Sequence, residues 1–307
     1  YSFLARYEAA VARSPQERAQ VNWNQVLSWI DKGVSKDYFI QGDNQLWWAA
    51  LPYYASRERT SRVDYKTIGP TDGSTGYLQW LTKPPAERAE FILQPVDRRV
   101  GTSQNARGGK IQFTLTGPTQ WPAVRGLYKM SRYVHSRYYY FLQNGGIGPM
   151  PFVTLREMKL LKAEALLRLN QRIPEVVAII NETRVENGGL SPASVNDPVG
   201  SPSDGNPSNI EHVRSGAVRD GSLWAKLKYE WRLENFAVTS GLALFTKRGW
   251  GELVSGTPLH YPVPAQELET LRLDVYTHGG NIGDVAPRVR ANVPYRPDPV
   301  RGPIAHQ

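Results

Sequence analysis

The chain has 307 residues, 40% of them hydrophobic and 21% charged, which supplies a packed core and argues against global disorder. Cysteine is absent and the five histidines fall at no metal-ligand spacing, so disulfides, thiol nucleophiles and the common zinc sites are excluded. The net charge of +9 permits nucleic acid, an anionic glycan or an acidic lipid as partner; the densest basic cluster, Arg125, Lys129, Arg132 and Arg137 among tyrosines, carries no nucleic-acid-binding signature.

Phe3, Leu4, Tyr7 and Val11 predict a helix over residues 2–12 with these side chains as its apolar face. Ser14 as N-cap, Pro15 and Glu17 open a second helix over residues 15–31, and Gly33 stops it. Residues 34–120 lose helical periodicity and are rich in turn signals such as Gly69-Pro70 and Asp72-Gly73. Polar–apolar alternation predicts a short strand over residues 110–116, and a short helix is expected over residues 86–93. Leu155, Met158, Leu161, Ala165 and Leu169 mark a helix that begins at Thr154 and closes at Asn170. Pro174 opens a partner helix, with Asn187-Gly188-Gly189 as its stop. The two read as a tetratricopeptide-type pair. Residues 190–221 form a polar loop, residues 222–240 a helix capped by Ser222, and the chain beyond Gly249 is irregular. No stretch reaches the ~20 apolar residues of a membrane-spanning helix. The expected fold is mainly α: paired helices carrying long loops and a few short strands.

Glu230 and Glu234 lie one helical turn apart. As an acid pair they would serve glycoside hydrolysis; the favoured reading is a structural pair bonded to Arg232, Arg248 or loop amides. The Gly145-Gly146-Ile147-Gly148 and Gly279-Gly280 segments open no helix after a strand and read as turns, not phosphate cradles. Aromatic residues crowd the loop-rich part: Trp47-Trp48, Tyr53-Tyr54, Tyr77, Trp80 and Trp121. A flat ring can stack on the C–H face of a sugar, so these are candidate ligand contacts. Tyr77 and Trp80 follow a loop of small residues, and Gln79 between them can bond sugar hydroxyls; Trp47 and Trp48 are the further candidates. Trp23, Trp29, Trp224 and Trp231, on predicted helices, are expected in the core.

Two blocks between residues 152 and 268 resemble the SusD/RagB family of outer-membrane nutrient-binding lipoproteins. In the first, Glu157, Leu160, Ala163, Glu164 and Ala165 fit an E-x-x-L-x-x-A-E-A helix, Ile180, Asn181 and Arg184 an I-N-x-x-R helix, and Gly189-Leu190 its exit. In the second, Glu230-Trp231-Arg232-Leu233-Glu234 is similar to an E-R-x-x-E-L helix, Arg248-Gly249-Trp250-Gly251 to an R-W-G segment, and Pro262-Val263-Pro264 through Glu267-Leu268 to P-I-P-x-x-E-L. The chain departs from the pattern at Asn235, where the family has leucine, and at the extra glycine Gly249.

The resemblance implies a single SusD-like domain over residues 1–307, with residues 152–268 as its best-matching core and an N-terminal portion missing. That portion would carry a signal sequence and a lipid-bearing cysteine anchoring the protein at the bacterial outer membrane. It further implies non-catalytic capture of an oligosaccharide or peptide, delivery to a SusC-like TonB-dependent transporter, and no catalytic residue, cofactor, metal or nucleic-acid partner. The alternatives from other classes are a helical-repeat protein-interaction scaffold and a glycoside hydrolase.

Overall fold

The computed structural model describes residues 1–48, 50–58, 61–84, 87–118, 130–202, 221–238, 241–253, 257–259 and 264–272. Trp121, Arg125, Lys129 and the turn at residues 279–283 lie outside them. The described fold is mainly α with a few short strands. No described helix is long and apolar enough to cross a membrane, and no described cluster of three or more His, Cys, Asp or Glu could hold a metal ion.

Helix α1 (Ser2–Ala10) forms where expected but turns a different face inward. Ser2, Ala5, Arg6 and Ala9 are buried, Phe3 packs partly against the core, and Leu4, Tyr7 and Val11 are exposed. Small residues let α1 approach its neighbours closely, and Arg6 must point inward to meet Glu157. The predicted second helix is two: α2 (Pro15–Ala19) and α3 (Trp23–Asp31). Ser14 caps the first by accepting from Glu17 N, and Asn22 breaks the run by capping the second through Gln25 N.

The segment read as irregular holds short elements. Strand β1 (Tyr38–Asp43) pairs antiparallel with β5 (Ile147–Val153), Phe39 opposite Pro151 and Asp43 opposite Ile147. Between them lie α4 (Ala50–Ala55), α5 (Tyr65–Ile68) with a 3-10 turn at Gly69–Thr71, α6 (Gly76–Thr82) and α7 (Tyr139–Gln143). These helices are each too short for periodicity to reveal them. A second sheet has the order β2-β3-β4 from Val100–Gln104, Phe113–Leu115 and Tyr133–His135; β2 is parallel and β4 antiparallel to the central strand. The predicted strand is present as β3, fully buried rather than alternating. No helix forms over residues 88–93.

Helices α8 (Leu155–Arg168) and α9 (Ile173–Arg184) lie where the sequence puts them; α10 (Leu223–Glu234) starts at its expected cap but ends short of residue 240, α11 (Leu242–Trp250) follows, and α12 (Ala265–Thr270) forms in the stretch read as irregular. Thr154 caps α8 through Glu157 N, and Ser222 caps α10 through Ala225 N. Asn170 adopts a left-handed φ of 51° at the α8–α9 turn, a conformation asparagine tolerates better than most residues.

There are two main cores. One gathers α1, α3, α8, α9 and α11 around Met158, Leu160, Leu166, Ile180 and Trp224. The other gathers α5, α6 and the β2-β3-β4 sheet around Tyr65, Ile68, Trp80, Phe113 and Tyr133. Helix α10 belongs to both. Leu223, Trp224, Leu227 and Trp231 enter the first, and Tyr229 and Leu233 enter the second. All of its residues except Arg232 are buried. Trp23, Trp224 and Trp231 are core residues, as expected, whereas Trp29 is half-buried and packs against that core from its edge.

Candidate functional site

Tyr77 and Trp80, expected at a ligand-facing loop, are core residues, 6% and 3% exposed. The loop before them is a capping device. Asp72 accepts from Ser74 N and Tyr77 N and also from Gln94 N, which folds residues 72–77 down onto the sheet. The faces of Trp80 are spoken for: the Arg88 guanidinium lies 4.8 Å over its ring, Tyr77 stacks at 6.2 Å and Tyr65 packs at 5.1 Å. Its indole N–H donates to Ala89 O at 2.9 Å. Gly69 makes room for Tyr77, since a Cβ there would sit 2.2 Å from the ring. Gln79 is exposed but has no open ring beside it.

Trp47 and Trp48 are different. They are 53% and 41% exposed, and Trp48 belongs to a surface cluster with Tyr53 and Tyr54. Trp48 lies 5.7 Å from Tyr53 and 5.5 Å from Tyr54, and the tyrosines meet edge to face at 5.3 Å. The loop carrying them is fixed by Asp43, whose carboxylate accepts from Gln45 N and Trp47 N. Those backbone bonds, Trp47 first, hold the Asp43 carboxyl below its ordinary pKa. Trp48 rests its indole edge on Gly146, where a Cβ would meet Nε1 at 2.5 Å. The Gly145-Gly146 turn therefore seats an exposed indole. An indole held on one edge and still 41% exposed can serve as a stacking platform.

Sharing Tyr54 with this platform is a cavity of about 620 Å³. Leu51 and Tyr54 of α4, Trp231, Arg232 and Asn235 at the end of α10, and Ala243, Leu244 and Lys247 of α11 line it. The charge of Arg232, followed by burial, lowers the Lys247 ammonium to a pKa of about 8. Asn235 is 4% exposed, and neither its amide nitrogen nor its oxygen has a hydrogen-bond partner. The sequence did hold a signal here: Asn235 stands where the resembled motif has leucine. A second hollow of about 540 Å³, lined by Phe39, Tyr138 and Tyr140, has polar groups that are already engaged. Its Asp37 accepts from Leu155 N, Arg137 donates to Glu234 O, and the Tyr140 hydroxyl donates to Pro149 O.

Glu230 and Glu234 form a buried ion network whose centre is Arg99, not Arg232 or Arg248. Arg99 Nη1 lies 2.7 Å from Glu230 Oε2 and 2.9 Å from Glu234 Oε1, while Nη2 lies 2.7 Å from Asp97 Oδ2. The Tyr229 hydroxyl donates to Asp97 and the Asn187 amide donates to Glu234. Burial raises the Glu230 pKa, whereas Arg99 and then Arg137 outweigh burial at Glu234 and lower its value. Both carboxylates are enclosed by protein, at most 1% exposed, with no space beside them for a sugar ring and a water. The pair braces α10 against the β2 strand.

No family model matches the sequence, and no curated protein matches it. Among solved structures it matches the crystal structure of a SusD/RagB family protein from Bacteroides thetaiotaomicron, at 17% identity and a TM-score of 0.29. That match covers 95% of this chain and 60% of the other, so the chain spans about 60% of the length of its match. No residue role is transferred across so low a similarity.

Proposed function

We propose that this protein is a non-catalytic binding protein that captures an oligosaccharide on the Trp47–Trp48–Tyr53–Tyr54 platform. The observation that carries the reading is an exposed, preorganised aromatic cluster opening directly onto a cavity with unpartnered polar groups. Binding sites in general combine apolar walls with a few fixed polar groups, and this place has both. The motif resemblance supports the rest of the proposal: stacked tetratricopeptide-like pairs as scaffold, a lipid-anchored position at the outer membrane, and hand-over to a SusC-like TonB-dependent transporter. The burial of Glu230 and Glu234 in ion pairs supports capture without turnover.

A glycan array on the purified protein, followed by calorimetry on the best ligand, tests it. Trp48→Ala is expected to weaken binding at least about tenfold, the loss of one desolvated aromatic contact, with the melting temperature little changed. Trp80→Ala is expected to do the reverse, costing about 3 kcal/mol or more of stability as a large core side chain. Unchanged binding in Trp48→Ala, or release of reducing sugar by the native protein, overturns the proposal.

A further inference from the structure

The cavity beside the platform carries more positive charge than its own surroundings balance. Arg232 donates to the Lys66 carbonyl and has Glu252 as its nearest described carboxylate, Nη2 to Oε2 3.8 Å. Lys228 already holds Glu252 at 3.0 Å. Among the described residues no carboxylate forms an ion pair with Lys247. Helix α11 starts at Gly241 with no side-chain cap, so its first N–H groups add partial positive charge at the same wall. Asn235 then offers one donor and one acceptor that protein does not use. A buried amide left unpaired is costly, and Lys247 feels the like charge of Arg232, whose nearest described carboxylate Lys228 already holds. A ligand that supplies an anion and a hydroxyl relieves both costs at once.

We propose that the cavity is the carboxylate-reading end of the glycan site, and that the ligand is an acidic saccharide. Its uronate ring lies against Tyr54, with the carboxylate on Lys247 and Arg232 and a ring hydroxyl on Asn235. The inference rests on the glycan reading above and adds the class of sugar. A phosphate would satisfy the cations, but it would leave the aromatic platform without a role.

The test uses tetragalacturonate and its fully methyl-esterified form, which has the same rings without the charge. Calorimetry is run on the native protein, Lys247→Met, Asn235→Leu and Trp48→Ala. The acid form is expected to bind at least about tenfold tighter than the ester, one charge-assisted contact. Lys247→Met should cut that preference several-fold, leaving the part that Arg232 supplies. Asn235→Leu, which replaces an unpaired amide by an apolar group, should melt no lower than the native protein and weaken both forms. Raising the pH from 7 to 9.5 should weaken acid binding, because Arg232 and then burial, with Lys66 adding a little, lower the Lys247 ammonium to a pKa of about 8 against the pull of Glu252 and Asp64. Equal affinity for acid and ester, with both lost in Trp48→Ala, overturns the acid site and leaves the glycan reading standing. A preference undiminished in Lys247→Met also overturns it. Binding of neither form overturns it too, and the glycan reading is then decided by the neutral sugars of the array.

Discussion

At the scale of single residues, His135 shows how burial sets chemistry. It is fully enclosed among the rings of Phe113, Tyr138 and Phe236, at 5.4, 5.7 and 5.1 Å. Neither ring nitrogen has a hydrogen-bond partner. Burial, with a smaller push from Arg137, lowers its pKa from 6.5 to about 3. The unfolded chain therefore binds a proton that the folded one refuses between those two values. Stability contributed by the neutral imidazole is complete above pH 6.5 and falls as the pH drops toward 3. Melting curves between pH 4 and 7 should show this slope in the native protein and a shallower one in His135→Phe. An identical slope in both would show that His135 is not what titrates. Composition gave no warning of this residue: as one histidine among five it looked unremarkable, because its environment comes from three segments far apart in sequence. Trp80 was misplaced for the same reason. A small-residue loop before an aromatic pair can expose it or fold it inward, and here Asp72 decides by capping back onto the chain.

At the scale of elements, α8 works as a post with two bolts. Glu157 receives Arg6 of α1, Nε to Oε1 2.6 Å, and Glu164 receives Arg18 of α2, Nε to Oε1 2.8 Å. The free Arg18 nitrogen donates to Ala9 O at the end of α1. Trp250 of α11 donates to Glu164 at 3.0 Å, and Arg248 donates to Ala10 O and Ala12 O. Gly249 lies between these two residues because a Cβ there would sit 2.3 Å from Arg18 Cδ. The extra glycine in the Arg248-Gly249-Trp250 segment is thus the passage for a buried arginine. Glycine to alanine in a helix usually stabilises by up to about 1 kcal/mol. Here Gly249→Ala should destabilise by about 3 kcal/mol, the scale of breaking a buried ion pair. It should also be non-additive with Arg18→Met in thermal melts, since both remove one bond. Additive losses would separate the glycine from the arginine. The attraction of Arg18 pulls Glu164 down to about 2 despite its burial. The stability from this bolt is therefore present above the ordinary glutamate pKa and is lost as the pH falls toward 2.

The long helices were legible because period, cap and stop agreed. Thr154, Asn170, Ser222 and the Gly188-Gly189 turn each act as read. The α1 face was not legible, since Leu4 and Tyr7 advertise a core that Arg6 and two alanines occupy instead. The β1–β5 pair was also missed, because its strands are more than a hundred residues apart and carry Gly42, Gly148, Pro149 and Pro151, which read as turn signals.

At the scale of the molecule, α10 stands between the two main cores and supplies side chains to both. Arg99, in the turn just before β2, reaches Glu230 and Glu234 across 131 and 135 residues of chain, and Arg6 reaches Glu157 across 151. The fold is closed by pairings of high sequence separation, which slow folding because loop entropy is lost before contacts form. Neither core has its shared wall until Leu223 and the residues after it are present. A fragment of residues 1–221 should therefore lack a cooperative thermal transition and bind a hydrophobic dye. Adding a peptide of residues 222–253 should restore helical signal beyond the sum of the parts. A cooperative melt of the fragment alone would show that one core stands without α10. The consequence reaches into biosynthesis. At about 5–20 residues per second, translation leaves some 222 residues waiting roughly ten to forty seconds with their apolar faces open. Until the keystone α10 arrives, the open apolar faces are available to proteases and to other copies of the chain.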